Sequence, residues 1–230
     1  MRRPAKIAVT AVAMYLTLSV AFGIGVELHA WYSVPEHQNG QAVILLHGMG
    51  DNRGGVAGYG QAFLRQGYRI PLPDSRAHGE SGGAVATYGL RESDDIHRWV
   101  SWLYGKGASC VDGFGESMGA ALVLESLRSE SKFRAVIADS AFSDFRSVAY
   151  GREGYFVGAG RFGMERVVGR TVGLLPAEIG LLYARWRYGM DLRRANPVDA
   201  VRSSTVPVLL IHGEEDINIL PVALTRFGSG

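Results

Sequence analysis

The chain has 230 residues, of which 47% are hydrophobic and 20% charged, and its formal net charge is +2. This length corresponds to one ordinary domain with a real core, and the composition is typical of a globular rather than a disordered protein. The near-neutral charge argues against a nucleic-acid binder. The single cysteine, Cys110, excludes an intramolecular disulfide and a zinc cluster built on cysteines.

The N-terminal segment differs from the rest of the chain. Three basic residues precede a run of twenty uncharged, mostly apolar residues from Ile7 to Val26. As a helix this run would span about 30 Å, the thickness of a bilayer core. It predicts an uncleaved transmembrane anchor over residues 1–26; a signal peptide with a weak Ser-Val-Ala cleavage site and a buried first helix are the alternatives. Residues 27–230 are then expected outside the cytoplasm, membrane-anchored, or secreted or periplasmic after cleavage.

Apolar runs and helical patterns alternate along the rest of the chain. A β-rich segment at about Leu28–Ser33 and the buried strand QAVILLHG precede a helix over Val56–Gln66. There follow the strand YRIPLPD, a helix in YGLRESDDIHRWVSWLYG, the strand ASCVDGFG, a helix reaching about Ser129, and the strand FRAVIADS. Residues 141–196 show no strand pattern and are expected to form a small helical cap before a last buried strand at Val206–Gly213. This order predicts an α/β fold with a mostly parallel central sheet and flanking helices.

The segment GFGESMGA places Ser117 between two glycines, after an apolar strand and before an apolar helix. A G-x-S-x-G turn in this position is sharp and strained, and its glycines leave room for the serine hydroxyl to project at the top of the sheet. The start of a helix also offers free N–H groups that favour negative charge. The motif alone is weak in a chain with 31 glycines. Its placement favours a nucleophilic serine over a mere tight turn.

Five segments occur in the order and spacing seen in α/β-hydrolase fold serine hydrolases: LLHGMGDNR, DSRAHGESGG, GFGESMGAA, ADSAFSDF and PVLLIHGEED. Between about Leu28 and Asp216 the chain resembles these enzymes. It looks most like their membrane-anchored or exported branch, often described as cell-surface hydrolases, near the lysophospholipase and serine-aminopeptidase relatives. The resemblance implies a sheet of roughly eight strands, more than the sequence pattern shows. It also implies cleavage of a carboxylic ester, or of a thioester or amide, without a cofactor.

Matched position by position, the resemblance makes Ser117 the nucleophile. The backbone N–H groups of Met49 and Met118 would form the oxyanion hole. The acid would be Asp216 of HGEED, with Asp139, at the end of the fourth buried strand, as the alternative. The sequence contains no metal-ligand constellation, P-loop or dinucleotide fingerprint.

The sequence lacks a residue in the expected position of the catalytic base, because on this fold the histidine follows the acid in the chain. The six histidines are His29, His37, His47, His78, His97 and His212, and all precede Asp216. His47 matches the family's His-Gly turn and is expected to shape its loop, whereas His78, on another loop at the top of the sheet, is a possible substitute base. We therefore expect a sequence truncated before the catalytic histidine. The alternative is a catalytically inactive, membrane-tethered binding protein with the same fold.

The predicted cap is basic, with nine arginines and four acidic residues between Arg146 and Arg194. Near a membrane such a cap could meet anionic lipid or an anionic substrate. A solvated helix face is the alternative, because the arginines form no tight cluster. The expected partners are a small-molecule or lipid ester and, through the N-terminal helix, the membrane.

Overall fold

The structure is a computed structural model that describes residues 16–22, 26–156, 174–216, 219 and 227. Its strands are β1 (Leu16–Phe22), β2 (Val26–Ser33), β3 (Ala42–Leu46), β4 (Ile70–Pro73), β5 (Val111–Glu116), β6 (Phe133–Asp139) and β7 (Val208–Ile211). Its helices are α1 (Ala57–Arg65), α2 (Glu92–Gly105), α3 (Met118–Ser126), α4 (Phe145–Phe156), α5 (Leu174–Tyr188) and α6 (Pro197–Arg202), with a 3-10 turn at Leu192–Arg194.

The strands form a mostly parallel sheet with an antiparallel extension. Strands β3, β5, β6 and β7 are parallel neighbours in that order, and β1, β2 and β4 form an antiparallel group. A parallel bridge between Ala42 and Arg69 joins the two groups where β3 begins and just before β4. The expected α/β architecture with flanking helices is confirmed. The resemblance implied roughly eight strands, and the described residues form the seven named above.

Helices cover both faces of the central strands, which explains their unbroken apolar runs. All five residues of β3 are buried. Ala42, Ile44 and Leu46 face the cluster formed with α2 and α3, while Val43 and Leu45 pack with side chains of β4 and α1 on the other face. Every residue of α3 is buried, and this helix packs between the sheet, α2 and α6.

The helix predicted from Ile7 to Val26 is corrected to a strand in part of its length. Leu16–Phe22 form β1, which pairs antiparallel with β2. The sequence LTLSVAF alternates apolar residues with small or polar ones, which is the period of a strand rather than of a helix. The other residues of the predicted anchor that precede β2 lie outside the described part. None of the described helices has the length and apolar character needed to cross a membrane.

The predicted cap region follows β6. It contains α4, α5 and the 3-10 turn, and no strand lies between β6 and β7 among the residues that the structure describes. Residues 157–173 of this region lie outside the described part. Packing of α5 with α4 and with the 3-10 turn forms a separate small cluster around Leu181, Met190 and Leu192.

Two buried ion pairs fix the loops at the carboxyl ends of β3 and β4. Asp74 accepts hydrogen bonds from the Arg53 guanidinium and, at 2.8 Å, from the Arg53 backbone N–H. Arg76 donates two hydrogen bonds to Asp95 of α2, at 2.8 and 2.7 Å. The loop after β3, which carries Met49, is therefore tied to the end of β4.

Candidate active site

Ser117 occupies the turn between β5 and α3. Its φ of 53° and ψ of −112° place it in a region that residues with a Cβ rarely adopt, and it occupies the N-cap position of α3 without a side-chain capping hydrogen bond. The backbone N–H of Ser117 donates a 2.8 Å hydrogen bond to the carbonyl oxygen of Asp139 on β6. Free N–H groups at the start of α3 favour negative charge near the serine.

Two glycines make this turn possible through close backbone contacts. A Cβ built on Gly115 would lie 2.2 Å from the carbonyl oxygen of Gly119, and one built on Gly119 would lie 2.1 Å from that of Leu46. The glycine positions therefore let α3 approach the end of β3. The same approach brings the loop after β3 to the serine, because a Cβ on Gly48 would lie 3.6 Å from the Cβ of Ser117.

An apolar cavity of about 510 Å³ opens beside Ser117. Its lining comprises Met49, Tyr88, Ser117, Met118, Phe142, Phe145, Val148, Ala149, Pro176, Ala177, Gly180, Leu181, Leu192 and Ile219. The Tyr88 hydroxyl donates to the Met49 sulfur at 3.0 Å, and the Tyr88 and Phe145 rings lie 4.2 Å apart. The loop after β3, the β5–α3 turn and the cap helices thus converge on a cavity of the size that small ligands occupy.

A second, polar cavity of about 270 Å³ also reaches Ser117. It is lined by Gly48, Met49, Asp51, Glu116, Ser117, Ser140, Asp216 and Ile219. Burial raises the pKa of Glu116, and the nearby carboxylates of Asp139 and Asp51 raise it further. The cavity therefore offers a negative environment that favours a cationic group over an anionic one.

The predicted acid lies on the edge of this polar cavity. One carboxylate oxygen of Asp216 accepts a 3.0 Å hydrogen bond from the N–H of Ile219, and the other lies 3.6 Å from Nε2 of His212. The structure thus brings Ser117, Asp216 and the residues Met49 and Met118 to adjoining cavities. Their catalytic roles stay predictions.

The two alternative residues lie outside the linings of both cavities. Asp139 contacts the site through its backbone carbonyl, which accepts from Ser117, and its carboxylate lies 3.4 Å from the Ser140 hydroxyl. Nδ1 of His78 lies 3.0 Å from the carbonyl oxygen of Arg76. The centres of the His78 and His47 rings are 5.2 Å apart, and the ring planes are tilted by 58°. Neither arrangement places the side chain at the serine.

None of the six histidines lines either cavity. His47 is fully buried; Nδ1 lies 2.8 Å from the Gly48 carbonyl oxygen, and Nε2 accepts from the N–H of Ser75 at 3.0 Å. Burial lowers the pKa of His47, which favours a neutral ring with both nitrogens engaged. This geometry suits a residue that shapes its loop.

His212 was not expected beside Asp216. The only feature of the sequence that indicated this contact was the spacing of four residues between them.

Which cap residues face the serine could not be predicted from the sequence. The apolar cavity is lined by Phe142, Phe145 and, from α5, Pro176, Ala177, Gly180 and Leu181. Apolar residues lie on both sides of α5, so its pattern does not mark an inner face. Among the residues that the structure describes, no group of three or more His, Cys, Asp or Glu side chains is arranged to hold a metal ion.

Residues 41–161 match the family described as alpha/beta hydrolase fold. The chain belongs to this family. This α/β-hydrolase chain is also 30% identical over 200 residues to the uncharacterized protein YqkD of Bacillus subtilis (strain 168). The alignment covers 85% of the chain and 61% of the relative, so the hydrolase chain spans less than two thirds of that protein's length.

Solved structures with the same fold include an esterase and a peptidase. Esterase Pf2001 of Pyrococcus furiosus superposes with a TM-score of 0.70 at 22% identity, covering 94% of this α/β hydrolase and 77% of the esterase. The proline iminopeptidase of Mycobacterium smegmatis gives a TM-score of 0.63 at 20% identity, with 93% and 86% covered. At such identities the likeness establishes the fold.

Proposed function

We propose that this chain carries the nucleophile of a serine hydrolase that cleaves a carboxylic ester, or a related thioester or amide. The hydroxyl oxygen of Ser117 attacks the carbonyl carbon, and the bond to the leaving group breaks as the serine proton passes to that group. Water then attacks the acyl-serine, which releases the acid and restores the Ser117 hydroxyl. The N–H groups of Met49 and Met118 bind the oxyanion that forms in between. The observation that carries the proposal is Ser117 in a strained turn at a helix N-terminus, between an apolar and a polar cavity.

The apolar cavity supports a substrate with a hydrocarbon portion. Its lining from the cap includes Phe142, Phe145, Val148 and Leu181, and its volume is about 510 Å³. A cavity of this kind orients an acyl or alkyl chain by burial, while the few polar groups at Ser117 position the carbonyl.

For the proton acceptor we propose a histidine supplied from beyond these 230 residues and oriented by Asp216. The polar cavity of about 270 Å³ is bounded by both Ser117 and Asp216, so an imidazole inserted there would lie between the proposed nucleophile and acid. The carboxylates of Asp51 and Glu116 on the same cavity would favour the imidazolium formed after proton transfer.

A fluorophosphonate probe tests the nucleophile. We expect slow labelling of Ser117 in the 230-residue chain, no labelling in Ser117→Ala, and labelling about a hundredfold faster or more when a C-terminal extension bearing a histidine loop is added. Peptide mapping that finds the probe on another serine would refute the role of Ser117. Labelling that disappears in His78→Ala would move the base to His78.

The second candidate is a catalytically inactive, membrane-tethered binding protein. It is favoured by one observation: no histidine lines either cavity at Ser117. It predicts that the chain binds an apolar ester without turnover, and that no histidine-bearing extension brings labelling of Ser117. The probe experiment therefore separates the two functions.

We also propose that the N-terminal segment directs the domain out of the cytoplasm, with Leu16–Phe22 kept in the folded domain as β1. The support is the sequence of residues 1–26, basic and then apolar. Fusion of a reporter active only outside the cytoplasm, with and without residues 1–26, tests this. Equal reporter activity in the two fusions would refute it.

A further inference from the structure

The outer face of α5 exposes large apolar side chains along its whole length. This outer face consists of Leu175 (69% exposed), Ile179 (59%), Leu182 (53%), Tyr183 (51%) and Trp186 (81%). At 100° per residue the five positions fall within an arc of about 100°. On the opposite side of the helix, Ala177 and Leu181 are buried and line the apolar cavity.

Such a face differs from ordinary surface apolarity. Single exposed apolar residues are common, but a continuous stripe over three helical turns marks a surface that meets something else. Trp186 is the most exposed large apolar side chain described, and it lies near the middle of the arc. Tyr183 packs against it, with the ring centres 6.1 Å apart.

Arginines bracket the stripe on both sides. On the same helical projection Arg185 lies about 60° before the arc and Arg187 about 40° after it. The Arg187 guanidinium lies over the Tyr188 ring at 5.1 Å, and the Arg185 guanidinium is 3.8 Å from the Asp191 carboxylate. The one acidic residue of α5, Glu178, lies about 40° before the arc, between Arg185 and the stripe, and its carboxylate is paired with Arg146 and Arg193.

We propose that the outer face of α5 docks on an anionic lipid bilayer, with the helix lying in the plane of the interface. Leucine, isoleucine and tryptophan on one face, with arginines at its borders, are the residues of helices that bind at this depth. The arginines would meet lipid phosphates, which adds attraction to the burial of the stripe.

A second copy of the chain suits this face less well. A two-fold contact through the same face would set each arginine-bracketed stripe against another, so positive charge would meet positive charge. A lipid surface supplies the opposite charge. Docking would also bring the cap, and with it the apolar cavity that the cap covers, to the membrane surface. The docking proposal does not depend on the activity of Ser117.

Tryptophan fluorescence tests the docking directly. The full chain is mixed with vesicles of equimolar phosphatidylcholine and phosphatidylglycerol whose acyl chains carry bromine, a contact quencher. The emission of Trp186 is obtained by subtracting the spectrum of Trp186→Phe from that of the wild type. This subtraction removes the contributions of Trp31, Trp99 and Trp102. Every variant keeps the N-terminal segment, so differences among variants report on α5.

We expect most of the Trp186 emission to be quenched in the wild type. The double variant Leu175→Ser/Ile179→Ser should lower the quenched fraction about threefold or more, because the buried area is lost. Arg185→Gln/Arg187→Gln should lower it on the anionic vesicles but not on pure phosphatidylcholine, and added salt should have the same effect on the wild type. Val34→Ser, which removes a 45% exposed apolar side chain elsewhere, is the matched control and should change nothing.

Three results would overturn the proposal. The first is Trp186 that remains unquenched at saturating lipid, and the second is equal quenching in the wild type and both double variants. The third is weak acrylamide quenching of Trp186 in the wild type without lipid, together with strong quenching in Leu175→Ser/Ile179→Ser. That result would mean that a second copy or another segment of the chain covers the face. Sedimentation velocity then tells these two occupants apart. Because the altered positions are exposed, an unchanged urea midpoint verifies that each variant folds.

Discussion

At Ser117 the backbone conformation and the proposed chemistry make opposite demands. A φ of 53° and ψ of −112° cost a residue with a Cβ about 1–3 kcal/mol, which a glycine largely avoids. We therefore expect Ser117→Gly to be more stable than Ser117→Ala by about 1 kcal/mol in urea unfolding, although glycine is ordinarily the less stable of the two. Both variants lose the hydroxyl and should lose fluorophosphonate labelling. An alanine variant as stable as the glycine variant would mean that the turn is unstrained.

Gly119 allows a sharper comparison with a matched glycine. A Cβ on Gly119 would lie 2.1 Å from the carbonyl oxygen of Leu46, whereas one on Gly58 in α1 would meet no atom within 4 Å. Gly119→Ala should lower the free energy of unfolding by about 2–3 kcal/mol or more and slow probe labelling, because the backbone must move apart. Gly58→Ala should be neutral or raise stability by less than about 1 kcal/mol. Equal unfolding free energies for the two variants would contradict the close approach.

The close contacts of Gly115 and Gly119 explain why the turn itself could be predicted from the sequence. The requirement for small residues around Ser117 is local, so it is visible in GFGESMGA. The position of Asp216 follows from less local information: β7 lies parallel to β6, with Ile211 beside Asp139, and the carboxyl ends of parallel strands share one edge. The partners of His47 and His212 depend on loops from distant parts of the chain, and no spacing in the sequence specifies them.

At the scale of elements, strands and helices with a clear period were predicted near their observed bounds. The predicted helix Val56–Gln66 contains α1, and the predicted last strand Val206–Gly213 contains β7. The N-terminal apolar run was assigned to a helix on its length and apolar character, whereas the alternation in LTLSVAF has the period of a strand and β1 is completed by its pairing with β2. For α5 the sequence indicated a helix but not which apolar face is covered.

Gly180 on α5 gives a test of the covered face. It lines the apolar cavity, and a Cβ there would meet no atom within 4 Å. Gly180→Phe should fill part of the cavity and slow labelling by a long-alkyl fluorophosphonate by about tenfold or more relative to a short-alkyl probe. Gly105→Phe is the matched control, because this exposed helical glycine of α2 is equally unhindered and lies outside the cavity lining. An equal ratio of probe rates in both variants would contradict an acyl-binding role for the cavity.

Across the whole molecule, the site depends on loops that meet at one edge of the sheet. The alternation of strands and helices was enough to predict the parallel sheet, because helical crossovers between parallel strands leave that pattern. The ion pairs that join the loops were not predictable. Arg53 with Asp74 and Arg76 with Asp95 are separated by 21 and 19 positions in the chain, and many other carboxylates were available to each arginine.

The pair formed by Arg76 and Asp95 should therefore hold the loop after β4 on α2, and its loss should depend on pH. Both side chains are less than 10% exposed, so Arg76→Met leaves a buried carboxylate without its main cation and should cost about 3–5 kcal/mol of unfolding free energy.

Burial already raises the pKa of Asp95 above its ordinary 3.8, and Arg76 opposes this. Without Arg76 the folded carboxyl binds its proton more tightly, so stability falls as pH rises above the ordinary value, and the loss relative to wild type should be larger near about pH 8 than near about pH 5. Urea unfolding at both pH values measures it. Arg76→Met/Asp95→Leu should recover stability and abolish the pH dependence of the difference, and a single variant with the same loss at both pH values would contradict the argument.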